Sequence, residues 1–248
     1  MTRMKLDILA WMIAVAFFAF AIVSASADED INGQPAELVD KAVTTLENFV
    51  TDPAQYTFRK HLKTSKGIFI VPMLLKGGFI FGASGGNGVF LGRDEQTGEW
   101  SYPAFYTMGS VNFGPQIGAE MAEVVLLMRT VHDVDTLLAT TLKMGLEINI
   151  ATGLAGGGGG VKTANILLFT RTKGAFVGVT LEGSIIEPKD EWNRAFYGKP
   201  AHPTDILVRR NVSSEQAEAL RTALTKTIRE LSASETGETN IPSPATAP

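Results

Sequence analysis

The chain has 248 residues, 45% of them hydrophobic, no cysteine, and a formal net charge of −4. Such a length and apolar content support a globular core. The missing cysteine excludes disulfides, thiolate chemistry and a cysteine-linked lipid anchor, and the acidic balance argues against nucleic acid as a partner.

Residues 1–27 read as a segment apart. Arg3 and Lys5 precede an uncharged apolar run, Ile8 to Val23, and Ala25-Ser26-Ala27 forms a small-residue cleavage site. The run is shorter than the ~20 residues a membrane span needs. The pattern predicts a secretory signal peptide, and so a periplasmic or secreted protein rather than a lipoprotein. Its removal would leave 20 basic and 25 acidic residues, a net charge of −5. Residues 28–34 are expected to be a flexible start, 35–231 a single domain, and 232–248, poor in large apolar side chains, a disordered tail.

Leu38, Val39, Ala42, Val43, Leu46 and Phe49 recur at helical spacing. Asp52-Pro53 then reads as a cap and first helical residue. The helix it starts, Pro53 to about Lys63, would bury Tyr56 or Phe58 together with Leu62 and expose Arg59, Lys60, His61 and Lys63. From here the composition changes: 22 of the 25 glycines fall between Gly67 and Gly183. A glycine costs a helix about 1 kcal/mol relative to alanine, whereas sharply bent strands use it. Ile68–Val71, Phe79–Phe81, Val89–Leu91, 161–170 and 175–186 read as strands, and 94–98 as a hairpin loop. Residues 119–129 are ambiguous between helix and strand. Helices are expected over 134–142, capped by Asp133 or Asp135, over 189–196, and after Ser213 or Ser214, where Ala217, Leu220, Leu224, Ile228 and Leu231 share a face. The fold class is α+β: a strongly curved, glycine-rich antiparallel sheet flanked by N- and C-terminal helices, with closure into a barrel left open.

Ordered motifs along this region carry a resemblance. They are Lys66-Gly67, Pro72, Lys76-Gly77-Gly78-Phe79, the Gly85/Gly86/Gly88 cluster with Arg93, Trp100 with Pro103, and Gly114-x-Gln116-x-Gly118. Gly145, Gly153, Arg171-Thr172-Lys173-Gly174, Gly178, Leu181-Glu182-Gly183, Asn193, Tyr197-Gly198 and Ile206-Leu207 follow. Together they resemble the SYLF domain, over roughly residues 35–210, and the resemblance supports a strand at 119–129. It implies a lipid-binding module, actin-binding in yeast members, with acidic phospholipids such as phosphoinositides as ligands and no catalytic role or cofactor. One departure is the run Gly156 to Gly160, where the family has a short turn containing proline and arginine.

Catalytic motifs fare poorly. Gly82-Ala83-Ser84-Gly85-Gly86 satisfies G-x-S-x-G, so a serine hydrolase at Ser84 is a remote alternative. Asn87-Gly88 will not start the helix such a serine needs, and a glycine-rich bend between strands explains the run. Val161 spoils the spacing of a phosphate loop in Gly156–Thr163. His61, His132 and His202 lie far apart without metal-site spacing. Glu120/Glu123 and Glu235/Glu238 read as strand and tail surface. One constellation remains: Arg59, Lys60, Lys63, Lys66 and Lys76, which Arg171 and Lys173 would join if the strands are arranged as in the family. It reads either as an ordinary solvated helix face or as a patch for anionic headgroups. The resemblance favours acidic phospholipid at a membrane surface. A cell-envelope protein-interaction module is the alternative.

Overall fold

The structure, a computed structural model, describes residues 33–78, 81–113, 118–139, 142–143, 150–152, 164–173 and 184–238. The predicted signal peptide, the five-glycine run and residues 239–248 lie outside them. Residues from Pro35 onward group into one compact unit, distinct from the unit before it. Helix α1 spans Gln34–Thr51. A 3-10 turn, Pro53–Gln55, leads into α2, Tyr56–Leu62, and the Asp52 side chain accepts the Ala54 N–H at its start. Four long strands follow: β1 Gly67–Gly78, β2 Phe81–Gly92, β3 Ala104–Phe113 and β4 Gly118–Met128. Next come α3 (Val131–Ala139), β5 (Leu142–Lys143), β6 (Ile150–Thr152), β7 (Ile166–Lys173) and β8 (Ile185–Pro188). Helices α4 (Asp190–Tyr197), α5 (Pro203–Leu207) and, after a short turn at Glu215–Ala217, α6 (Glu218–Glu238) complete the order.

The strands form one eight-stranded sheet in the order β5-β8-β3-β2-β1-β4-β7-β6. Every pairing is antiparallel except that of β6 with β7, which is parallel. Among the described residues the sheet is open, with β5 and β6 at its two edges. Residues 119–128 of the ambiguous segment are strand, as the resemblance implied. The α3 cap differs in detail: Thr130 is the capping residue, and Thr130 and Asp133 exchange side-chain-to-backbone hydrogen bonds as a capping box. Helix α6 runs to Glu238, past the Ser232 at which a tail was expected. Strand β3 fell within the glycine-rich block but was not read as a strand, and the short strands β5 and β6 and helix α5, too brief to show a period, went unread.

Both faces of the sheet are buried over most of its length, the far end of the first face excepted. On the first, α1, α2 and α6 lay Leu46, Phe49, Phe58, Leu62, Leu220 and Leu224 over Ile68, Ile70, Val89, Phe105, Val125 and Leu127. On the second, Phe69, Phe90, Tyr106, Val124 and Leu126 pack with Val134 and Leu137 of α3 and with Ile206 and Leu207 of α5. Burial of each large side chain contributes about 1.5–3 kcal/mol. Phe69, Phe90, Trp100 and Phe105 are therefore core residues, split between the two faces.

Strand β1 carries one extra residue relative to both neighbours. Ile70 pairs with Val89 but Leu75 with Gly85, and Val71 pairs with Val124 but Leu74 with Ala122. Pro72, with no N–H for the ladder, sits in this bulge. The bulge swaps faces: Ile68 and Ile70 lie on the first, whereas Leu74 and Lys76 beyond it lie on the second. Opposite it, the glycine run is part of β2 rather than a bend between strands. A Cβ at Gly86 would stand 2.4 Å from the Met73 carbonyl oxygen, and one at Gly88 would stand 2.6 Å from the Phe69 ring and 2.7 Å from the Ile70 oxygen. These glycines exist because the bulged strand and the Phe69 ring occupy the space.

Gly88→Ala is therefore expected to destabilise the protein by about 1–3 kcal/mol in urea unfolding. Gly85→Ala, whose nearest non-neighbour atom would be 3.9 Å away, should stay within about 0.5 kcal/mol of wild type. Equal midpoints for the two variants would contradict this account of the glycines.

Candidate functional site

The seven basic residues do not form one patch. Lys60 is exposed on α2 and Lys63 half-buried at its end. Lys66, beside the start of β1, pairs with Glu95 at 3.2 Å. Arg59 turns back and donates to the carbonyls of Val50 and Asp52, at 3.1 and 2.6 Å, closing the end of α1. Burial, helped by the Arg129 and Lys60 charges, lowers the His61 pKa, so His61 adds little charge to this helix at neutral pH. Lys76 stands at the far end of the 12-residue β1 and, past the bulge, on the second face. Lys173 ends β7, paired in register with Met121.

Arg171 serves a different purpose. Its Nε reaches Asp52 at 3.0 Å and its Nη1 reaches Glu123 at 2.5 Å, while the guanidinium lies 5.9 Å from the Phe49 ring centre. Asn48 donates to the other Glu123 oxygen at 2.8 Å. The guanidinium thus pins the end of α1 to β4 and β7. Its hydrogen bond to Asp52, with that from the Ala54 N–H, holds the Asp52 carboxyl below its usual range. Glu123, read from sequence as strand surface, belongs to this half-buried network. Glu120, read the same way, is only 7% exposed.

The far end of the sheet was not singled out in the sequence. There the first face carries no described helix, and Leu75, Met121 and Val111 are 50%, 42% and 80% exposed. Leu75 pairs with Gly85 on one side and Met121 on the other. With Gly77 and Ala83, and with Lys76, Ser84 and Glu120, these residues line a shallow, mostly apolar trough of about 810 Å³. Monomeric proteins rarely leave such a patch without a use. Leu75 lies beyond the run Ile68–Val71 read as a strand, and the bulge turns it onto the first face, past the described helices.

Ser84 is not placed for nucleophilic catalysis. It sits in mid-strand, and its Oγ lies 2.7 Å from the Ser110 Oγ. Among the described residues no group of three histidine or carboxylate side chains could hold a metal ion, and no helix is long and apolar enough to cross a membrane.

Comparison with known proteins adds a family. A family model described as "Ysc84: Las17-binding protein actin regulator" matches residues 109–227. An SH3 domain-containing protein of Schizosaccharomyces pombe is 31% identical over 192 residues, covering 72% of this chain and 43% of its own length. LAS seventeen-binding protein 3 of Saccharomyces cerevisiae is 33% identical over 147 residues, 55% of this chain and 31% of that protein. The human SH3 domain-containing YSC84-like protein 1 is 30% identical over 162 residues, 63% of this chain and 47% of its own. The chain thus spans less than half the length of these relatives.

The Arg171 network has a pH signature. A carboxyl with a depressed folded pKa stabilises the fold above its unfolded pKa, and that contribution disappears as pH falls through the folded value. Asp52→Asn is expected to lower the melting temperature at pH 7 and to shrink the loss of stability below about pH 4. An unchanged acid limb in thermal melts would show that the pair contributes nothing there.

Proposed function

The chain belongs to the Ysc84 (SYLF) family, and on that premise we propose that it binds acidic phospholipid at a membrane surface, without catalysis, as an exported protein. The observation that carries this reading is the exposed apolar end of the sheet, over which no described helix lies. Leu75, Met121 and Val111 offer a shallow insertion surface, and Lys76 lies in the same strand segment. Lysines near an anionic surface each contribute about 1 kcal/mol, and Lys60, Lys63 and Lys66 supply a second cationic group at the other end of β1. Such attraction weakens with salt, whereas the apolar contact does not.

A second reading draws on the relatives' names. Proteins named for binding Las17 favour a protein-interaction module, with an envelope protein in that role here. A pull-down that keeps its partner after detergent has removed lipid would support it.

In vesicle co-sedimentation the protein should bind anionic liposomes and leave neutral ones, with affinity falling as salt rises. Lys60→Glu/Lys63→Glu/Lys66→Glu should lower low-salt binding by at least about fivefold. Leu75→Ser/Met121→Ser should remove the binding that survives at moderate salt. No binding of wild type to anionic vesicles would reject the lipid reading.

A further inference from the structure

Packing does not account for the Glu120 carboxylate. Its Oε1 is buried and, among the described residues, has no hydrogen-bond partner. Buried carboxylates ordinarily have donors, because desolvating one without compensation is costly. The strand register places this group in a polar row on the second face. Glu120 lies opposite Lys76, Lys76 opposite Ser84, and Ser84 opposite Ser110. Directly opposed side chains stand about 5 Å apart. Lys76 and Ser84 are half-buried, so the row opens to solvent at its middle. The next residues inward on this face, Leu74, Met108 and Ala122, are apolar and buried. Among the described residues Lys76 has no carboxylate within ion-pair distance, although Glu120 is its direct neighbour in register.

The row therefore offers an acceptor with a vacant lone pair, a cation and two hydroxyls, side by side. A plain anion would suit Lys76 but would be repelled by Glu120. A plain cation would suit Glu120 but be repelled by Lys76. A group with both charges, separated by a short link, suits the pair. Resting on the membrane reading above, we propose that this row binds the headgroup of a phosphoethanolamine-type lipid. The ammonium donates to Glu120, and the phosphate oxygens accept from Lys76 and from the Ser84 hydroxyl, which in turn accepts from Ser110. A choline headgroup has the same charges but no N–H, so it would leave Glu120 as it is. Discrimination between the two then rests on Glu120, since a site built around a hydrogen bond rejects the analogue that lacks the donor.

The test holds the phosphatidylglycerol fraction of the vesicles constant and exchanges phosphatidylcholine for phosphatidylethanolamine. Wild type should bind the ethanolamine vesicles about tenfold more tightly. Glu120→Gln should bind both vesicle types alike while keeping its salt-sensitive attachment to phosphatidylglycerol. A measurement on the unaltered protein guards against a variant that does not fold: soluble O-phosphoethanolamine should raise the wild-type melting temperature, and phosphocholine should not. Equal binding of wild type to the two vesicle types, with no melting shift, would overturn the inference and leave the anionic-lipid reading standing. A melting shift without a vesicle preference would overturn the lipid source, assigning the row to a free zwitterion. Failure of wild type to bind phosphatidylglycerol at all would reject the membrane reading itself.

Discussion

One extra residue in the central strand organises much of this molecule. Strand β1 is flanked by β2 and β4, and its bulge at Pro72 shifts the register with both by the same count. Before the bulge the alternation of β1 feeds two cores; after it the same alternation is inverted. Gly86 and Gly88 are the complement on β2, leaving room for the displaced backbone and the Phe69 ring. The inversion turns Leu75 out to solvent and turns Lys76 in beside Glu120, so the apolar trough and the polar row share one cause.

Four of the residues that carry the family resemblance are fasteners. Arg93 donates to the carbonyls of Lys63 and Gly98, each at 2.9 Å, joining the 94–98 hairpin to the end of α2. The Asn193 side chain accepts the Phe105 N–H at 2.9 Å inside the core, and the Tyr197 hydroxyl donates to the Pro103 carbonyl at 2.6 Å. Arg171 pins three elements together. Each of these groups is held by a bond across the fold, and the charge an arginine spends on internal carbonyls or carboxylates is largely withdrawn from any ligand. Family motifs of this kind record how the sheet is tied to its helices.

Local patterns were legible where a period ran long enough to be counted. The apolar spacing of α1, the Asp52-Pro53 start and the Leu220, Leu224, Ile228 stripe of α6 all appear as read. The strand at 118–128 was decided by resemblance, because its Ala, Glu and Met content leaves the period equivocal. Tyr56 and Phe58 were interchangeable on the helix pattern, and the structure buries Phe58 and leaves Tyr56 68% exposed. The candidate site was far less legible. Proximity along the chain grouped Lys76 with the lysines of α2, but a 12-residue strand carries it to the other end of the sheet and a bulge to the other face. Pro72, a proline in a strand, is a sequence signal of that bulge. Glu120 looked like surface because its burial depends on strands distant in sequence.

The placement of the indole rings has a spectroscopic consequence. Beyond Trp11 the chain holds two tryptophans, Trp100 and Trp192, and both are buried in the first-face core, under the helical layer. Each has a cationic neighbour: the Arg93 guanidinium is 5.8 Å from the Trp100 ring centre, and the Lys189 ammonium is 3.8 Å from that of Trp192. Their fluorescence therefore reports the seating of the helices, while the glycine-rich far end of the sheet is optically silent.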